Sequence, residues 1–361
     1  MRPVQAFGVG VPMVATVADG ERQDFIRHLL GYRDTVMAEM ETTIRRKRFH
    51  SALGRRLADY PLRAGKGLRP ALCLATCQAF GGTLEDALPS AVALELFHNA
   101  FLVHDDIEDE SLHRRGAPTM NEKFGTAIAI NVGDALNVLS MTPLLDNTRV
   151  IGLEKALRVF REIELMARES VEGQAMELEW VRSSAWEITD RHYHVMTSKK
   201  TCWYTCITPC RVGALIAMGA KADLETFRSF GYCLGVAFQI QDDVLNLVSG
   251  DGPYGKETAG DIWEGKRTLM LIRLVRLCTA RERERVVRIM RKARSRKTPR
   301  DVDYVFELML KYDCITHARE ASRAFARRAE RIFDDRFRHV PASTHKAFLR
   351  EAVDYVIHRD L

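Results

Sequence analysis

The chain has 361 residues, 46% of them hydrophobic, so it is long and apolar enough to bury a large core. Its formal net charge of +6 is modest for this length, which weakly favours small anionic ligands and gives no case for nucleic acid. The start of the chain lacks the strongly basic beginning and the sustained apolar stretch of a signal peptide. No apolar run approaches the roughly 20 residues that span a bilayer. We therefore expect a cytoplasmic protein without stable membrane insertion.

Helical periodicity begins near residue 21, where residues 21–46 place Phe25, Leu29 and Val36 on one face. Residues 89–106 are instead apolar nearly all round, as a helix at the centre of a bundle is, and an acidic cluster marks the end of this stretch.

Residues 224–250 form a second long, largely apolar stretch with an acidic pair near its C-terminal end. The sequence shows no alternating strand blocks, no Pro/Ser linker and no clear repeat. It therefore predicts an all-α protein, with a flexible segment at 1–20 and a single domain, a helical bundle around a central cavity, over 21–361.

Two compositional features are assigned to ordinary structure. The eight cysteines include no CxxC pair, which favours buried, reduced thiols over a thiolate metal site. Residues 281–300 hold ten basic side chains without interleaved aromatic residues, which is typical of a solvated helix face and not of a nucleic-acid surface.

The stretch LVHDDIEDESLHRRG (102–116) crowds carboxylates at the end of an apolar helix. Asp105 and Asp109 are four residues apart and share one helix face, where like charges destabilise the helix. Mg²⁺ would reverse that effect, because it prefers carboxylate and phosphate oxygens. A solvated helix end is the alternative for this stretch taken alone.

The same arrangement returns in FQIQDDVLNL, where Asp242 and Asp243 end the second apolar helix. Two such helices facing each other would place two carboxylate clusters across one cavity. Two pairs at matching helix positions are hard to explain by solvation.

Basic residues in glycine-rich or acidic segments would complement these carboxylates. Guanidinium groups match phosphate oxygens in a two-pronged geometry, and glycine lets the backbone approach a ligand closely. Together these segments suggest two diphosphates, one held with metal and one by basic side chains. The cations are Lys66 and Arg69 in RAGKGLRP, Arg114 and Arg115, Lys200 in SKKT, and Lys256 and Lys266 in GKETAGDIWEGKRT.

The motifs GKGLRP, LVHDDIEDESLHRRGAPT, KKT, GVAFQIQDDVLNL and GKETAGDIWEGKRTL, in this order and spacing, resemble the trans-isoprenyl diphosphate (polyprenyl) synthase family. The resemblance covers roughly residues 21–361. It implies a homodimeric prenyltransferase that joins isopentenyl diphosphate head-to-tail to dimethylallyl, geranyl or farnesyl diphosphate, with Mg²⁺ as cofactor.

The resemblance also implies roles for single residues. Asp105, Asp109 and Asp242 are similar to the family's metal ligands. The isopentenyl diphosphate site would comprise Lys66, Arg69, His98 and Arg115. The allylic diphosphate side would comprise Arg114, Lys200, Thr201, Gln239, Lys256 and Lys266. The oxygens of Lys200 (backbone), Thr201 and Gln239 would act in catalysis by stabilising an allylic carbocation as dipoles.

Two positions depart from the family pattern. Gly67 stands where many members have arginine, which would weaken one phosphate contact. Asn246 replaces the third aspartate of the second motif and offers less charge to a metal. Without the motif context, His98, Thr201 and Gln239 would pass for ordinary packing residues.

Other functions remain as alternatives. A class I terpene cyclase shares the first motif and the all-α fold but needs no second diphosphate pocket, so Lys66 and Arg69 argue against it. A non-catalytic subunit of a heteromeric synthase would be favoured by loss of the first-motif aspartates, which are intact.

Product length depends on side chains that precede the first motif on its helix. In the family, bulky aromatics four and five residues before the first aspartate resemble the farnesyl (C15) pattern. Here these positions hold Phe101 and Ala100, and Phe97 lies one turn earlier on the same face. We expect a floor at Phe101 and Phe97 and geranylgeranyl diphosphate (C20) as main product, with farnesyl diphosphate as the alternative. Both rings could also simply pack the core.

Overall fold

A computed structural model describes residues 17–63, 65–248 and 259–358 of the chain. These residues are helical apart from loops and one hairpin of two-residue strands, so the all-α prediction is confirmed. The first half comprises α1 (Val17–Arg46), α2 (Ser51–Leu57), α3 (Asp59–Leu62), α4 (Leu68–Ala79), α5 (Leu84–Glu108), β1 (His113–Arg114), β2 (Ala117–Pro118), α6 (Met120–Phe124), α7 (Thr126–Val150) and α8 (Leu153–Arg182).

The second half begins with α9 (Asp190–Thr197), which continues into a π-helix (Ser198–Ile207) and then α10 (Thr208–Met218). It continues with a 3₁₀ turn (Gly219–Lys221), α11 (Leu224–Val248), α12 (Gly260–Glu264), α13 (Leu269–Leu277), α14 (Ala280–Met290), a second 3₁₀ turn (Arg294–Arg296), α15 (Pro299–Lys311), α16 (Cys314–Arg336) and α17 (Thr344–His358). Of the segment 1–20 predicted to be flexible, residues 17–20 begin α1, and residues 1–16 lie outside the described part.

Helix α5 is the central element of the first half, and it contains the predicted stretch 89–106. It begins with a capping box, in which Thr83 and Asp86 satisfy each other's backbone N–H groups. Pro89 lies near its start, and the side chains after it are buried on several faces, as the all-round apolar pattern predicts. The helix packs mainly against α7 and α4 and delivers its C-terminal carboxylates to the central cavity.

Helix α11 plays the same part in the second half and matches the predicted stretch up to Val248. It packs against α16 on one side and against the π-helix on the other. Gly235 makes the second contact possible, because a Cβ there would lie 2.8 Å from the Cβ of Cys202. Asp242 near the end of α11 lines the same cavity as Asp105 near the end of α5.

Helix α7 differs from the expectation that no apolar run is long enough for a bilayer. By length and composition alone it is the one helix in the described ranges that could span a membrane, and 44% of its most apolar window is buried inside the protein. The core helix of a helical bundle can meet the same criteria of length and hydropathy, so one such helix is weak evidence for a membrane span.

Candidate active site

A cavity of about 790 Å³ opens between α5, α8, the π-helix and α11. It brings together residues from every motif that the sequence singled out. The predicted site residues that line it are Lys66, Arg69, His98, Phe101, Asp105, Arg114, Arg115, Lys200, Thr201, Gln239, Asp242 and Lys266. Lys256 lies outside the described residues.

The carboxylates on one wall rest against two lysines. Lys266 Nζ lies 2.6 Å from Asp109 Oδ2, and Lys200 Nζ lies 3.4 Å from Asp105 Oδ1. Lys200 also contacts Glu177, which comes from α8. Burial raises the pKa of Asp109 to about 7, with Asp105 and Glu264 adding to the effect and Lys266 opposing it. The wall therefore carries closely spaced negative charge that a cation stabilises.

This wall suits Mg²⁺ in donor chemistry. Within the described ranges no three His, Cys, Asp or Glu side chains are close enough to form a complete metal cage. Mg²⁺ does not require one, because it usually takes one or two carboxylates and completes its shell with substrate phosphate oxygens and water. Asp105 and Asp242 both line the cavity, and Asp109 contacts a lysine that lines it. These hard oxygen donors fit a metal that arrives with a diphosphate.

Arg114 is held rigidly beside this wall. Its Nε donates to Asp106 at 2.7 Å, and its Nη2 lies 3.2 Å from Asp105 Oδ2. Asp106 is completely buried and also accepts a hydrogen bond from the hydroxyl of Tyr60 at 2.6 Å. Arg114 therefore reaches the cavity from a fixed position.

A second group of cations lies at another part of the cavity. The guanidinium of Arg69 stacks over Tyr204 at 4.5 Å, and its Nη2 donates to Thr205 Oγ1 at 3.0 Å. Its Nη1 lies 3.2 Å from Nε2 of His98. Because arginine can only donate, that His98 nitrogen is the acceptor and the ring is neutral. Burial lowers the pKa of His98 well below its ordinary value, with Arg69 and Arg115 adding to the effect.

Arg115 and Lys66 line the same region as Arg69. Gly65 leaves room for Arg115, because a Cβ at Gly65 would lie 2.5 Å from its Nη2. Glu95 is the buried acid of this region. Burial raises its pKa, while Arg115 and Arg69 act in the opposite direction. The region has an excess of positive charge and can accept an anion.

A chain of hydrogen bonds orders the side chains between these regions. The hydroxyl of Thr201 donates to Gln239 Oε1 at 2.9 Å, and Gln239 Nε2 donates to Asp243 Oδ1 at 2.7 Å. Asp243 Oδ2 accepts from the hydroxyl of Tyr193 at 2.7 Å. Thr201 and Gln239 both line the cavity.

The residues considered for chain length take different places. Phe101 lines the cavity, and its ring lies 5.8 Å from that of Tyr204. The ring of Phe97 lies 6.1 Å from that of Phe101, so it packs one layer behind the lining. Ala100 is fully buried and is not among the residues that line the cavity.

The two departures from the family pattern have local structural settings. Gly67 has a φ of 68°, and a Cβ there would lie 2.8 Å from Cβ of Arg33. A larger residue at this position would need a different backbone. Asn246 Oδ1 accepts from the backbone N–H of Asp261 at 3.0 Å, so this side chain anchors the start of α12.

Sequence reasoning missed several residues that shape the site. Glu177 and Gln174 line the cavity from α8, where they are three residues apart, and Glu177 contacts Lys200. The segment EGQAMEL carries both and contains Gly173, whose Cβ would lie 2.1 Å from the backbone N of Lys200. The glutamine and glutamate three residues apart beside a glycine were the pattern that could have indicated these lining residues from the sequence. Tyr60 and Tyr193 had no such signal.

A family model described as polyprenyl synthetase matches residues 52–309. The chain belongs to this family. As a polyprenyl synthetase family member it is a trans-prenyltransferase of the isoprenyl diphosphate synthase type, as the motifs predict. Membership also disfavours the terpene cyclase alternative.

Several relatives of this polyprenyl synthetase family member are named as prenyl diphosphate synthases. A geranylgeranyl diphosphate synthase of Sulfolobus acidocaldarius is 34% identical over 63% of this chain and 68% of its own length. A geranylgeranyl pyrophosphate synthase of Geoglobus acetivorans is 30% identical over 84% of this chain and 90% of its own. The crystal structure of geranylgeranyl pyrophosphate synthetase from Pyrococcus horikoshii superposes with a TM-score of 0.81 at 29% identity, covering 94% of this chain and 100% of that one.

Proposed function

We propose that the protein is a Mg²⁺-dependent geranylgeranyl diphosphate synthase that condenses isopentenyl diphosphate with dimethylallyl, geranyl or farnesyl diphosphate. The observation that carries this proposal is one cavity with a carboxylate wall flanked by Arg114, Lys200 and Lys266, and a separate cationic region around Arg69. Two diphosphates have two chemically different places to bind.

The allylic diphosphate would bind at the carboxylate wall. Asp105, Asp109 and Asp242 would hold Mg²⁺, which would supply positive charge for the departing diphosphate. The side chains of Arg114, Lys200 and Lys266 would donate hydrogen bonds to its oxygens, and we include Lys256 among these cations on the family pattern alone. Loss of the carbon–oxygen bond then leaves an allylic carbocation beside Thr201 and Gln239.

Isopentenyl diphosphate would bind in the second region, with Lys66, Arg69 and Arg115 on its diphosphate and the neutral His98 orienting Arg69. Its double bond attacks the carbocation and forms the new carbon–carbon bond. The released diphosphate is the base that we assign to removal of the proton. Substrates that fill the cavity would exclude the water that would otherwise quench the cation.

The oxygen atoms of the backbone carbonyl of Lys200 and of Thr201 and Gln239 would stabilise the carbocation as fixed dipoles. This role needs acceptors and not donors at the reacting carbon. The hydrogen bond from Thr201 to Gln239 supports this role. Because the threonine hydroxyl donates its hydrogen to the glutamine oxygen, the lone pairs of the threonine oxygen can face the carbocation.

We infer C20 as the main product from the wall before the first motif. Ala100 removes one of the two bulky positions of the C15 pattern, and Phe101 with Phe97 behind it would stop longer growth. The names of the relatives from Sulfolobus acidocaldarius and Geoglobus acetivorans support the same product. Farnesyl diphosphate is the alternative product.

We also infer one cytoplasmic polyprenyl synthase domain over 21–361 that acts as a homodimer. Ten of the sixteen exposed large hydrophobic residues within the described ranges lie on α7 and α8. A second copy of the chain would cover this apolar surface.

Purified protein tests the proposal. We expect condensation with isopentenyl diphosphate and each allylic starter in Mg²⁺, C20 as the largest fraction by chromatography of the dephosphorylated products, and no product in excess chelator. Turnover that persists in chelator would contradict the metal assignment. Absence of any condensation would favour a non-catalytic subunit.

A further inference from the structure

The two carboxylates of each aspartate pair are used differently. In the first pair, Asp105 lines the cavity, whereas Asp106 is 0% exposed and does not. In the second pair both Asp242 and Asp243 line the cavity, but each oxygen of Asp243 already accepts a hydrogen bond from a donor of the chain. In both pairs the second carboxylate accepts a hydrogen bond from a tyrosine that is 1% exposed, Tyr60 or Tyr193.

The first tyrosine ties three segments together. Tyr60 belongs to α3; its hydroxyl accepts from the backbone N–H of Met120 at 3.0 Å and donates to Asp106 Oδ2 at 2.6 Å. Asp106 in turn receives Nε of Arg114 at 2.7 Å. The position of the Arg114 guanidinium therefore depends on the buried hydroxyl of Tyr60, a residue that does not line the cavity.

The second tyrosine acts on an amide. Tyr193 donates to Asp243 Oδ2, and Gln239 Nε2 donates to Asp243 Oδ1. Both oxygens of Asp243 accept, which holds the amide with its nitrogen toward Asp243 and its oxygen toward Thr201. This orientation keeps the Gln239 oxygen and the Thr201 hydroxyl in the arrangement that suits a carbocation.

We propose that Tyr60 and Tyr193 are positioning residues, each of which acts through the second aspartate of a motif: Tyr60 through Asp106 on Arg114, and Tyr193 through Asp243 on Gln239 and Thr201. The inference rests on the proposed function, because it takes Arg114 as a ligand of the allylic diphosphate and Thr201 and Gln239 as dipoles at the carbocation. Burial raises the pKa of both tyrosines, with the neighbouring aspartate adding to the effect, so both hydroxyls stay protonated donors.

The two tyrosines have separable kinetic effects. Arg114 would contact the allylic diphosphate in the ground state as well as later, so Tyr60→Phe should raise the apparent KM for the allylic substrate about tenfold, the size expected for one hydrogen bond to a charged group. The apparent KM for isopentenyl diphosphate should stay within about twofold. Gln239 and Thr201 meet positive charge only as it develops, so Tyr193→Phe should lower kcat about tenfold with both KM values little changed.

A matched control is available outside the cavity. Tyr32 is also buried, and its hydroxyl contacts His345 Nδ1 at 2.6 Å and accepts from Gln78. Tyr32→Phe removes a buried hydroxyl of the same kind away from the site, and it should leave kcat and both KM values unchanged. Thermal unfolding of all three variants measures any loss of stability.

A double mutant keeps the test sharp if Tyr193→Phe is also destabilised. If Tyr193 acts through Gln239 and Thr201, adding Tyr193→Phe to Thr201→Val should lower kcat by less than it does in the wild type. Fully additive effects, an equal rise in both KM values, or variants that behave like Tyr32→Phe in an active enzyme would each overturn the inference. A wild-type protein that makes no condensation product would instead overturn the proposed function.

Discussion

Two lysines that line the cavity form ion pairs with carboxylates of the protein. Lys266 contacts Asp109 and Glu264, and Lys200 contacts Asp105 and Glu177. Such pairs compensate the cost of burying charge. If Mg²⁺ takes over Asp105 and Asp109, these lysines become available to the diphosphate that arrives with it. The same carboxylates would then pair with lysines in the free enzyme and bind Mg²⁺ in the substrate complex.

The first prediction concerns Asp105. Asp105→Ala should lower kcat at least about 100-fold, because it removes a ligand for the metal that stabilises the departing diphosphate. Steady-state assays with saturating Mg²⁺ measure the effect. Asp24→Ala is the control, since Asp24 is exposed on α1 and pairs with Arg27 at the surface. Turnover of Asp105→Ala near that of the control would contradict the assignment.

The second prediction separates the two diphosphate sites. Arg69→Ala and Lys66→Ala should raise the apparent KM for isopentenyl diphosphate more than that for the allylic substrate. Arg69→Lys should rescue little, because the flat guanidinium stacks on Tyr204 and bonds Thr205 as a lysine cannot.

Arg45→Ala, at an exposed pair with Glu41 on α1, provides the control for loss of positive charge. Initial rates with each substrate varied in turn give both constants. A larger effect on the allylic substrate would place Arg69 and Lys66 at the other site.

Sequence reasoning could find the motif residues because their chemistry repeats at fixed spacing. Asp105 and Asp109 lie one helical turn apart, and the carboxylate wall was predicted from that pattern and its repeat at Asp242. The cationic residues were predicted from separate basic segments, and their division into two sites came from the family resemblance. Tyr60 and Tyr193 could not be found this way. Their partners lie 46 and 50 residues away along the chain, so nothing local marks them.

At the scale of elements, the π-helix Ser198–Ile207 was not predictable. Its i→i+5 hydrogen bonds leave no mark on composition, and π-bulges frequently occur at functional sites. Here it carries Lys200, Thr201 and Tyr204 to the cavity. Its neighbours accommodate it through glycines, which a periodicity analysis of apolar residues does not register.

The third prediction tests that close contact. In Gly173→Ala the new Cβ would lie 2.1 Å from the backbone N of Lys200, where no flexible side chain can give way. We expect a loss of about 1–3 kcal/mol in the free energy of unfolding and a lower kcat, since Lys200 and Thr201 must shift.

Gly31→Ala is the matched control, because Gly31 lies within α1 and a Cβ there meets nothing within 4 Å. It should be neutral or stabilise by about 0.5–1 kcal/mol. Urea unfolding of both variants gives the comparison. Equal stability of the two would show that α8 can move away from the π-helix at little cost.

The fourth prediction concerns the wall between α5 and the π-helix. Phe101 lines the cavity beside Tyr204, so Phe101→Ala opens a void and should lengthen the products beyond C20. Phe97→Ala is the matched variant one layer behind and should change the product distribution less. The double variant should give the longest chains.

Chromatography and mass spectrometry of the dephosphorylated products measure the distribution. Unchanged products in Phe101→Ala would place the floor on another helix. Asn137 on α7 and Ser170 on α8 also line the cavity and would be examined next.

At the scale of the whole molecule, exposed apolar residues are concentrated on α7 and α8. The exposed residues Val138, Met141 and Leu145 follow one face of α7, and Leu157 and Phe160 are exposed on α8. These exposed side chains contribute to the high hydropathy of α7. The helical pattern of the sequence predicted the fold, but which apolar face stays uncovered depends on how the helices pack.

The last prediction tests a second copy of the chain as the cover for this face. Val138 and Leu145 are 62% and 66% exposed, and a glutamate at either position would be desolvated without a partner in an interface. Val138→Glu and Leu145→Glu should therefore turn a dimer into a monomer in sedimentation experiments, while circular dichroism stays helical. Leu310→Glu, at an equally apolar exposed position on α15, is the control and should remain a dimer. A monomeric wild type, or variants that sediment like the wild type, would show that another face forms the dimer or that none does.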